Sequence, residues 1–388
     1  MPPLDYDPIP IGAPATSFER PMVTHLQVAD LDQDGLPDIV YAEASTHTVR
    51  WIRQAPHGKF TEVVLADSIL GPVHVWVGDI NADGFRDVAV ASMGQIFPTN
   101  DRIGAVVVLE NLNNRDFRRR TLLDQTARVT DVRGANLSGH SDGRLDLVVA
   151  QFGYAQGETR WMKNEGDWHF TDHIVNRLSG AVHAPVADFD GDRRLDFATL
   201  ISQEWEEVHL FRNLGQNQYL ETIVWGSTNE DYGSSGLEVA DVNRDGRPDL
   251  IYTNGDGFDY PIPGGRPWHG IQWLENQGDG RFAFRRVGEM TGAYSPRAAD
   301  LDSDGDMDLI AVSCFADWSS PRAVSMMAWI NEGNERFHPV VLAHSPTHLV
   351  TADVGDLDGD GVPEIVTGGM YAFPPFPAPH NVTLWRRR

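Results

Sequence analysis

Short apolar runs alternate with acidic turns along nearly the whole chain. Ile39 to Tyr41 follows the first of these turns, and Val88 to Val90 follows the second. Runs of this length, bounded by Asp, Asn and Gly, are typical of strands, and no clear helical period is present. Around the second turn, further runs lie at Val73 to Val77 and Ala105 to Leu109, and another begins at Phe117. The pattern predicts an all-β chain with four short strands in each unit.

The same unit recurs along the chain. Its acidic turns begin at seven positions, Asp30, Asp79, Asn136, Asp188, Asp241, Asp300 and Asp356. Regular repeats of about fifty residues are the signature of stacked or circular arrays, in which each unit buries its apolar faces against its neighbours. Seven units of four strands predict one domain, a seven-bladed β-propeller.

Two columns of large side chains support this register. The third strands carry, at matching places, Trp51, Val108, Trp161, Leu210, Trp273, Trp329 and Trp385. The fourth strands begin near Phe60, Phe117, Phe170, Tyr219, Phe282 and Phe337. We expect these side chains to pack between neighbouring blades.

The two ends of the chain complement each other. The sequence stops just after Trp385, within a third strand, so the last blade lacks its fourth strand. Phe18, in the segment from Ser17 to Arg20, fits the missing strand. We therefore expect the N-terminal strand to close the ring, which would hide the open sheet edges. Residues 1–14, which are rich in proline, are predicted to be an extended lead-in, with the propeller over 15–388.

The acidic turns have the spacing of a calcium loop. In the first, Asp30, Asp32 and Asp34 supply oxygens from positions one, three and five, and Gly35 permits the tight turn. Carboxylates this close repel one another unless a cation lies among them. Six turns are predicted to bind one Ca²⁺ each. The predicted ligands are Asp30, Asp32, Asp34, Leu36 (carbonyl), Asp38, Asp79, Asn81, Asp83, Phe85 (carbonyl), Asp87, Asp188, Asp190, Asp192, Asp196, Asp241, Asn243, Asp245, Asp249, Asp300, Asp302, Asp304, Asp308, Asp356, Asp358, Asp360 and Glu364.

Two of the turns depart from the pattern. The third, from Asn136 to Asp146, has two extra residues and carries Ser138 and His140 where acids belong. We expect it to bind no calcium. The fourth has Arg193 in place of the glycine, which puts its turn geometry in question.

Composition limits the classes of binding partner and the cellular compartment. A net charge of −25 argues against nucleic acid and anionic membranes as partners, and about six calcium ions would offset roughly half of it. The single cysteine excludes an internal disulfide, and no apolar run reaches the roughly 18 residues of a membrane span. No signal peptide follows Met1. Because such loops suit extracellular calcium, we expect a secreted or periplasmic protein whose signal has been removed.

The seven Asp-x-Asp-x-Asp-Gly patterns, each followed by an apolar strand, resemble FG-GAP/VCBS repeats. Trp161 to Asn164 and Gly280 to Phe282 fit the same family. The resemblance covers about residues 18–388 and implies a calcium-binding propeller. It also implies kinship with integrin α-subunit propellers, fungal propeller lectins, propeller parts of some polysaccharide lyases and the fungal anhydrofructose dehydratase. Because these relatives differ in function, the function must be argued from the site.

A ring of polar residues is predicted at the start of the innermost strands. Five residues before each loop stand His25, His74, Asp131, His183, Gly236, Ser295 and Thr351. Three histidines and a carboxylate are the ligand inventory of a catalytic Zn²⁺ or similar divalent site. The hypothesis requires that these groups converge across the central channel.

Long loops on the face opposite the calcium loops supply further candidates. Tyr154, Tyr260 and Asp131 are candidates for proton transfer beside the histidines. Aromatic and acidic side chains around a polar pocket suit a carbohydrate, and we assign substrate binding to Glu204, Trp205, Asp259, His269, Trp318 and Tyr371.

Three functions remain open at this point. The first is a metal-assisted sugar lyase or dehydratase with a histidine-lined site at the central channel. The second is a lectin or adhesion module that binds glycan without chemistry, and the third is a calcium-stabilised scaffold for a protein partner. The oligomeric state is not determined by the sequence.

Overall fold

A computed structural model of the chain describes residues 4–14, 20–97, 99–203, 205–258, 264–333, 335–376 and 380–388. The described residues form seven antiparallel sheets and contain no helix. The sheets are the blades of a ring, and each consists of four strands, with one innermost strand broken in two. The predicted all-β, seven-bladed propeller is therefore confirmed.

Blades 1 to 3 follow the chain in order from the innermost strand outward. Their strands are β2 (Val23–Ala29), β3 (Asp38–Glu43), β4 (Thr48–Gln54) and β5 (Phe60–Ala66); β6 (Pro72–Gly78), β7 (Asp87–Ser92), β8 (Gly104–Asn111) and β9 (Phe117–Thr126); and β10 (Arg128–Ala135), β11 (Asp146–Phe152), β12 (Glu158–Gly166) and β13 (His169–Asn176).

Blades 4 to 6 repeat this order. Their strands are β14 (Ala181–His183), β15 (Val186–Ala187), β16 (Asp196–Ile201), β17 (Glu207–Gly215) and β18 (Gln218–Gly226); β19 (Ser234–Ala240), β20 (Asp249–Asn254), β21 (Gly270–Asn276) and β22 (Phe282–Glu289); and β23 (Ala293–Ala299), β24 (Asp308–Ser313), β25 (Met326–Asn331) and β26 (Phe337–Ala343). In blade 4, β14 and β15 both pair with β16. Pro185, which has no N–H to donate, lies between them.

Blade 7 combines the two ends of the chain. It contains β27 (Leu349–Gly355), β28 (Glu364–Gly369), β29 (His380–Arg387) and β1 (Tyr6–Pro14). β1 pairs antiparallel with β29, from Tyr6 opposite Arg387 to Pro14 opposite His380. The interpretation of residues 1–14 as a lead-in is thus wrong for Tyr6–Pro14, and Phe18 lies outside the described residues. Proline is compatible with this position because the outer edge of an edge strand needs no N–H donors.

The core lies between the blades. The five tryptophans of the third strands are at most 5% exposed. Trp329 and Trp385 pair with Leu309 and Ile365, the place that Ile52 holds in blade 1, so the predicted register is wrong by one residue for these two. Trp51 of blade 1 contacts Phe117 of blade 2, with 6.4 Å between the ring centroids. Trp161 of blade 3 contacts Tyr219 of blade 4 in the same way, at 5.5 Å. These contacts confirm the predicted packing between neighbouring blades at these positions, where aromatic surface is buried between the sheets.

Within the described ranges there is no helix with the length and apolar character that a membrane crossing requires.

Candidate functional site

The acidic loops connect the innermost and second strands of each blade. In the first loop the Asp30 carboxylate accepts the backbone N–H groups of Asp34 and Gly35, at 3.1 and 3.0 Å. The same pair of hydrogen bonds shapes the loops that begin at Asp79, Asp188, Asp241, Asp300 and Asp356. Six of the seven loops therefore share one backbone turn.

The acid at position nine is buried at the start of the second strand. Asp38 is 0% exposed and accepts N–H groups from Leu31 and Gln54, at 3.1 and 2.8 Å. Burial raises the pKa of Asp38 to about 6 and the pKa of Asp87 in the next blade to about 7. The carboxylates of Asp38 and Asp87 accept hydrogen bonds from neutral backbone amides. A cation bound nearby would lower both pKa values, because it favours the charged form.

The ligand inventory of the loops fits a hard cation such as calcium. Carboxylate oxygens gather within 4.8 Å of one another in four loops, in the groups Asp30, Asp32 and Asp34; Asp188, Asp190 and Asp196; Asp300, Asp302 and Asp304; and Asp356, Asp358 and Asp360. The buried Oδ1 atoms of Asp32 and Asp358, both at position three, have no hydrogen-bond partner. Asn81 and Asn243 hold position three in the other two loops, and amide oxygens also bind calcium.

The third loop fills the corresponding space with its own side chains. His140 Nε2 lies 3.0 Å from Asp146 Oδ1, and the Ser138 hydroxyl donates to Asp146 Oδ2 at 2.7 Å. Protein donors thus satisfy the buried acid that a cation would otherwise contact. This arrangement supports the prediction that the third loop is metal-free.

Arg193 adopts the backbone conformation of the glycine that it replaces. Its φ is 72°, in the left-handed region, and its N–H donates to Asp188 Oδ2 at 2.8 Å. Gly246, at the same place in blade 5, has a φ of 84°. The fourth turn is therefore retained, in a conformation that costs a non-glycine residue free energy.

Every innermost strand has a register shift near its start, and this shift shapes the central channel. In blade 2 it falls between Pro72 and His74. Consecutive residues, Val73 and His74, then both line the channel, whereas side chains in a regular strand alternate between two faces. The bulge thus adds a ring of residues one position before the predicted ring.

The channel consequently has three tiers. The mouth tier is Thr24, Val73, Thr130, Val182, Ser235, Tyr294 and Val350. The middle tier is the predicted ring, of which His25, His74, His183, Gly236, Ser295 and Thr351 line a neck of about 130 Å³. The lower tier, two residues further along each strand, is Gln27, Trp76, Arg133, Glu238, Arg297 and Asp353, around a space of about 320 Å³.

The middle tier is built around Asp131, which is 0% exposed. His74 Nε2 lies 3.2 Å from its Oδ1, and His183 Nδ1 lies 3.7 Å from its Oδ2. The His25 and His74 rings are stacked, with centroids 3.9 Å apart. Burial, with the neighbouring positive charge of Arg133, lowers the pKa of His74 to about 4, so the imidazole is neutral at neutral pH.

The lower tier is a chain of alternating charges. Arg133 pairs with Asp131 at 3.0 Å and with Glu238 at 2.9 Å, and Arg297 pairs with Asp353 at 2.9 Å and approaches Glu238 at 3.7 Å. Burial acts to raise the pKa of Asp131, but Arg133, His74 and His183 outweigh it and hold the pKa well below its usual value. The network links blades 3, 5, 6 and 7 across the channel.

The hypothesis of zinc at the histidines does not fit this geometry. Within the described part of the chain, none of the groups of three His, Cys, Asp or Glu ligand atoms within 4.8 Å includes His25, His74 or His183. Two of the rings stack on each other, and Arg133 places a positive charge beside the carboxylate that would complete the set. The tier is a hydrogen-bonded polar network without a preformed tetrahedral site.

The mouth of the channel contains a separate cavity of about 230 Å³. Its apolar wall consists of Val73, Met93, Ile96, Phe97, Phe152, Val182, Phe258, Val350 and Met370. Its polar wall includes Thr24, Arg128, Thr130, Tyr154, His183, Ser202, Ser234, Ser235, Asp256 and Tyr294. Many of these residues come from the loops between second and third strands, on the face predicted to carry function.

Comparison with known proteins agrees with this architecture. The model of the FG-GAP-like repeat matches residues 30–90, 141–199 and 253–311. The protein is a propeller that contains FG-GAP-like repeats in these three segments. No curated protein matches the sequence. One chain of the crystal structure of BBS1N in complex with ARL6DN, soaked with lead, is similar with a TM-score of 0.57 and 12% identity, over 99% of this chain and 96% of that chain. At this identity the likeness shows the fold alone.

The FG-GAP propeller brings together only part of the predicted site. Tyr154 and His183 line the mouth cavity, and His25 and His74 line the neck. The loop candidates do not converge on that cavity. Trp205 is 49% exposed, Tyr371 is buried at 2%, and His269 lines a cavity between blades 5 and 6. Trp318 contacts His348, with 5.2 Å between the ring centroids. Glu204, Asp259 and Tyr260 lie outside the described residues.

Sequence reasoning missed Arg128, Ser234 and Ser235 in the mouth wall. Arg128 and Ser235 stand three and one residues before the ring positions Asp131 and Gly236, where a regular strand would turn them away from the channel. The missed lower tier had a detectable signal, because Arg133, Glu238, Arg297 and Asp353 recur two residues after the ring positions.

Proposed function

We propose that the protein binds a carbohydrate in the mouth cavity. The observation that supports this most directly is the combination, in one cavity of about 230 Å³, of aromatic and apolar side chains with hydroxyl, carboxylate and imidazole groups. Sugars present C–H faces to the first kind of surface and hydroxyl groups to the second. Of the functions considered, glycan binding by a calcium-stabilised propeller requires no chemistry beyond the contacts of this cavity.

Catalysis is the second candidate. His183 and Tyr154 both line the cavity, and Tyr154 packs edge-on against Phe152 with centroids 5.8 Å apart. An imidazole and a phenol can act as base and acid for removing water or cleaving a glycosidic bond next to an acidified C–H. A lyase or dehydratase reaction would then use these side chains without a metal at the middle tier.

Binding of monosaccharides, detected by saturation-transfer NMR and titration calorimetry, tests the proposal. Tyr154→Ala should weaken binding by up to about tenfold, because one aromatic contact is worth roughly 1 kcal/mol. Trp205→Ala is the matched control, since this tryptophan is 49% exposed and lies outside the cavity wall. Equal losses in both variants, or no saturable binding to the wild type, would contradict the proposal. Product formation that His183→Gln abolishes would favour the catalytic candidate.

We also propose that six acidic loops bind calcium and that the third does not. The fit rests on the clustered carboxylates and on the unpartnered, buried oxygens of Asp32 and Asp358. Bound calcium would cancel the mutual repulsion of the loop carboxylates and tie the innermost strand of each blade to the second. Such sites suit a calcium-rich secreted or periplasmic setting.

A further inference from the structure

The mouth cavity contains a buried arginine that has no anionic partner among the residues that the structure describes. Arg128 is the first residue of β10, lines the cavity and is 2% exposed. Its Nη1 donates to the carbonyl oxygens of Ile96 and Phe97, both at 3.2 Å, and its guanidinium lies 4.7 Å from the Phe152 ring centroid. Its Nε and Nη2 groups have no hydrogen-bond partner.

Other buried arginines in this protein are paired with carboxylates. Arg133 pairs with Asp131 and Glu238, and Arg160 pairs with Glu158 and with Asp172. Among the described residues, Arg128 has no carboxylate within 4.0 Å. A guanidinium remains charged even when buried, so its charge stays uncompensated in the wall.

An uncompensated charge in an apolar wall acts strongly on a ligand. Water screens it little, and its field therefore favours a negative group in the cavity over a neutral one. The unpartnered Nε and Nη2 donors are suited to the oxygens of a carboxylate. The remaining wall combines apolar side chains with hydroxyl groups, so a ligand with one anionic end, apolar faces and hydroxyl groups matches the cavity.

We propose that the ligand of the mouth cavity carries a carboxylate that Arg128 recognises. This inference rests on the proposed carbohydrate function and narrows its ligand class to uronic acids. The carboxylate of a uronide would compensate Arg128, while the C–H faces of the ring lie against Phe152 and neighbouring apolar side chains.

The test is calorimetric titration of the full chain in calcium buffer with three probes: glucuronate, glucose and phenylacetate. We expect glucuronate to bind at least tenfold more tightly than glucose, and Arg128→Met to remove this preference. Arg128→Lys should retain part of it, because the positive charge remains. Thermal denaturation of each variant first establishes that it is folded.

Arg286→Met is the matched control. Arg286 also donates to two backbone carbonyl oxygens, of Trp268 and His269, both at 3.0 Å, but it does not line the mouth cavity. Arg286 is exposed whereas Arg128 is 2% exposed, so this control tests the loss of hydrogen bonds to carbonyl oxygens, and Arg128→Lys tests the loss of the buried side chain. Anion recognition should be lost in Arg128→Met and kept in Arg286→Met.

The outcomes separate the inference from the proposed function. Equal binding of glucuronate and glucose would retain the carbohydrate function and overturn the inference. If phenylacetate alone binds, and its binding depends on Arg128, carboxylate recognition would be retained and the proposed carbohydrate function would be overturned. Failure of all three probes to bind would overturn both.

Discussion

At the scale of single residues, the fourth acidic loop shows the free-energy cost of a side chain at a left-handed backbone position. Arg193 holds a φ of 72° where the equivalent residues in the other five regular loops are glycines. Glycine adopts this region readily, while a side chain makes it less favourable by roughly 1 kcal/mol. The loop keeps its turn because the hydrogen bonds to Asp188 outweigh this cost.

Arg193→Gly should therefore raise the free energy of unfolding by about 1 kcal/mol. Gly246→Ala, at the same place in blade 5, should lower it by a similar amount, because a Cβ there meets no atom within 4 Å and the backbone term acts alone. Urea denaturation at fixed calcium measures both variants. A destabilising Arg193→Gly would show that the arginine side chain makes a contact more valuable than the strain it imposes.

A second residue-scale prediction concerns pH. The folded protein lowers the pKa of His74 to about 4, so the unfolded chain binds a proton more readily below about pH 6.5. The contribution of His74 is complete above that pH and is lost as the pH falls toward 4. As the pH falls from 6.5 to 5, His74 lowers the free energy of unfolding by about 2 kcal/mol.

His74→Gln should thus make unfolding less sensitive to pH over this range, with the same hydrogen-bonding reach toward Asp131. The measurement is the free energy of unfolding at several pH values in saturating calcium. His169→Gln, at an exposed position, is the control. Identical pH profiles for the wild type and His74→Gln would contradict the assignment of His74 as a neutral buried imidazole.

At the scale of elements, the loop joining β23 and β24 can be compared with the loop joining β10 and β11. In the first, the Asp300 carboxylate shapes the turn beside Asp302 and Asp304. In the second, Asn136 stands at the same place, but His140 and Ser138 satisfy the buried acid. The two loops therefore predict different metal contents.

Asp300→Ala should lower the calcium content from about six ions per chain to about five. Asn136→Ala changes the equivalent position of the third loop and should leave the content unchanged. Elemental analysis after gel filtration in calcium buffer gives the stoichiometry. Chelation should lower the Tm of the wild type, because ions that bind the folded chain alone stabilise it. Loss of one ion in both variants would contradict the metal-free third loop.

At the scale of the whole molecule, charged side chains connect blades that the sheets leave separate. Arg133 of blade 3 reaches Glu238 of blade 5, and Arg297 of blade 6 reaches Asp353 of blade 7. Asp353 also accepts the backbone N–H of Val28 in blade 1, at 2.8 Å. Cross-channel contacts of this kind fix the blades relative to one another.

Arg133→Met should cost about 3 to 5 kcal/mol, because it leaves Asp131 buried without its arginine and Glu238 with only Arg297, at 3.7 Å. Arg118→Met is the control, since that arginine is largely exposed and its contact with Glu110 is 3.6 Å. It should change stability by less than about 0.5 kcal/mol. A small effect of Arg133→Met on the urea midpoint would show that water readily replaces the guanidinium in the channel.

Prediction from the sequence succeeded where the chain repeats its own chemistry. The acidic loops, the strands that follow them and the tryptophans of the third strands each recur. A chance match in one repeat therefore has little effect, and the number of repeats gives the number of blades. It failed for Tyr6–Pro14, because proline was taken as a sign of irregular structure, although an edge strand tolerates it. It also failed for Tyr371, which is buried at 2% rather than placed at the cavity.

The sequence by itself thus determined the fold class, the seven blades, the position of the acidic loops and the ring that contains His25, His74 and His183. All of these depend on neighbours close in the chain. Tertiary structure alone decided which charges meet in the channel, that a bulge turns a second ring toward its mouth, and that Arg128 lies there without a carboxylate. These features join residues from different blades, and their spacing along the chain carries no information about their distance in space.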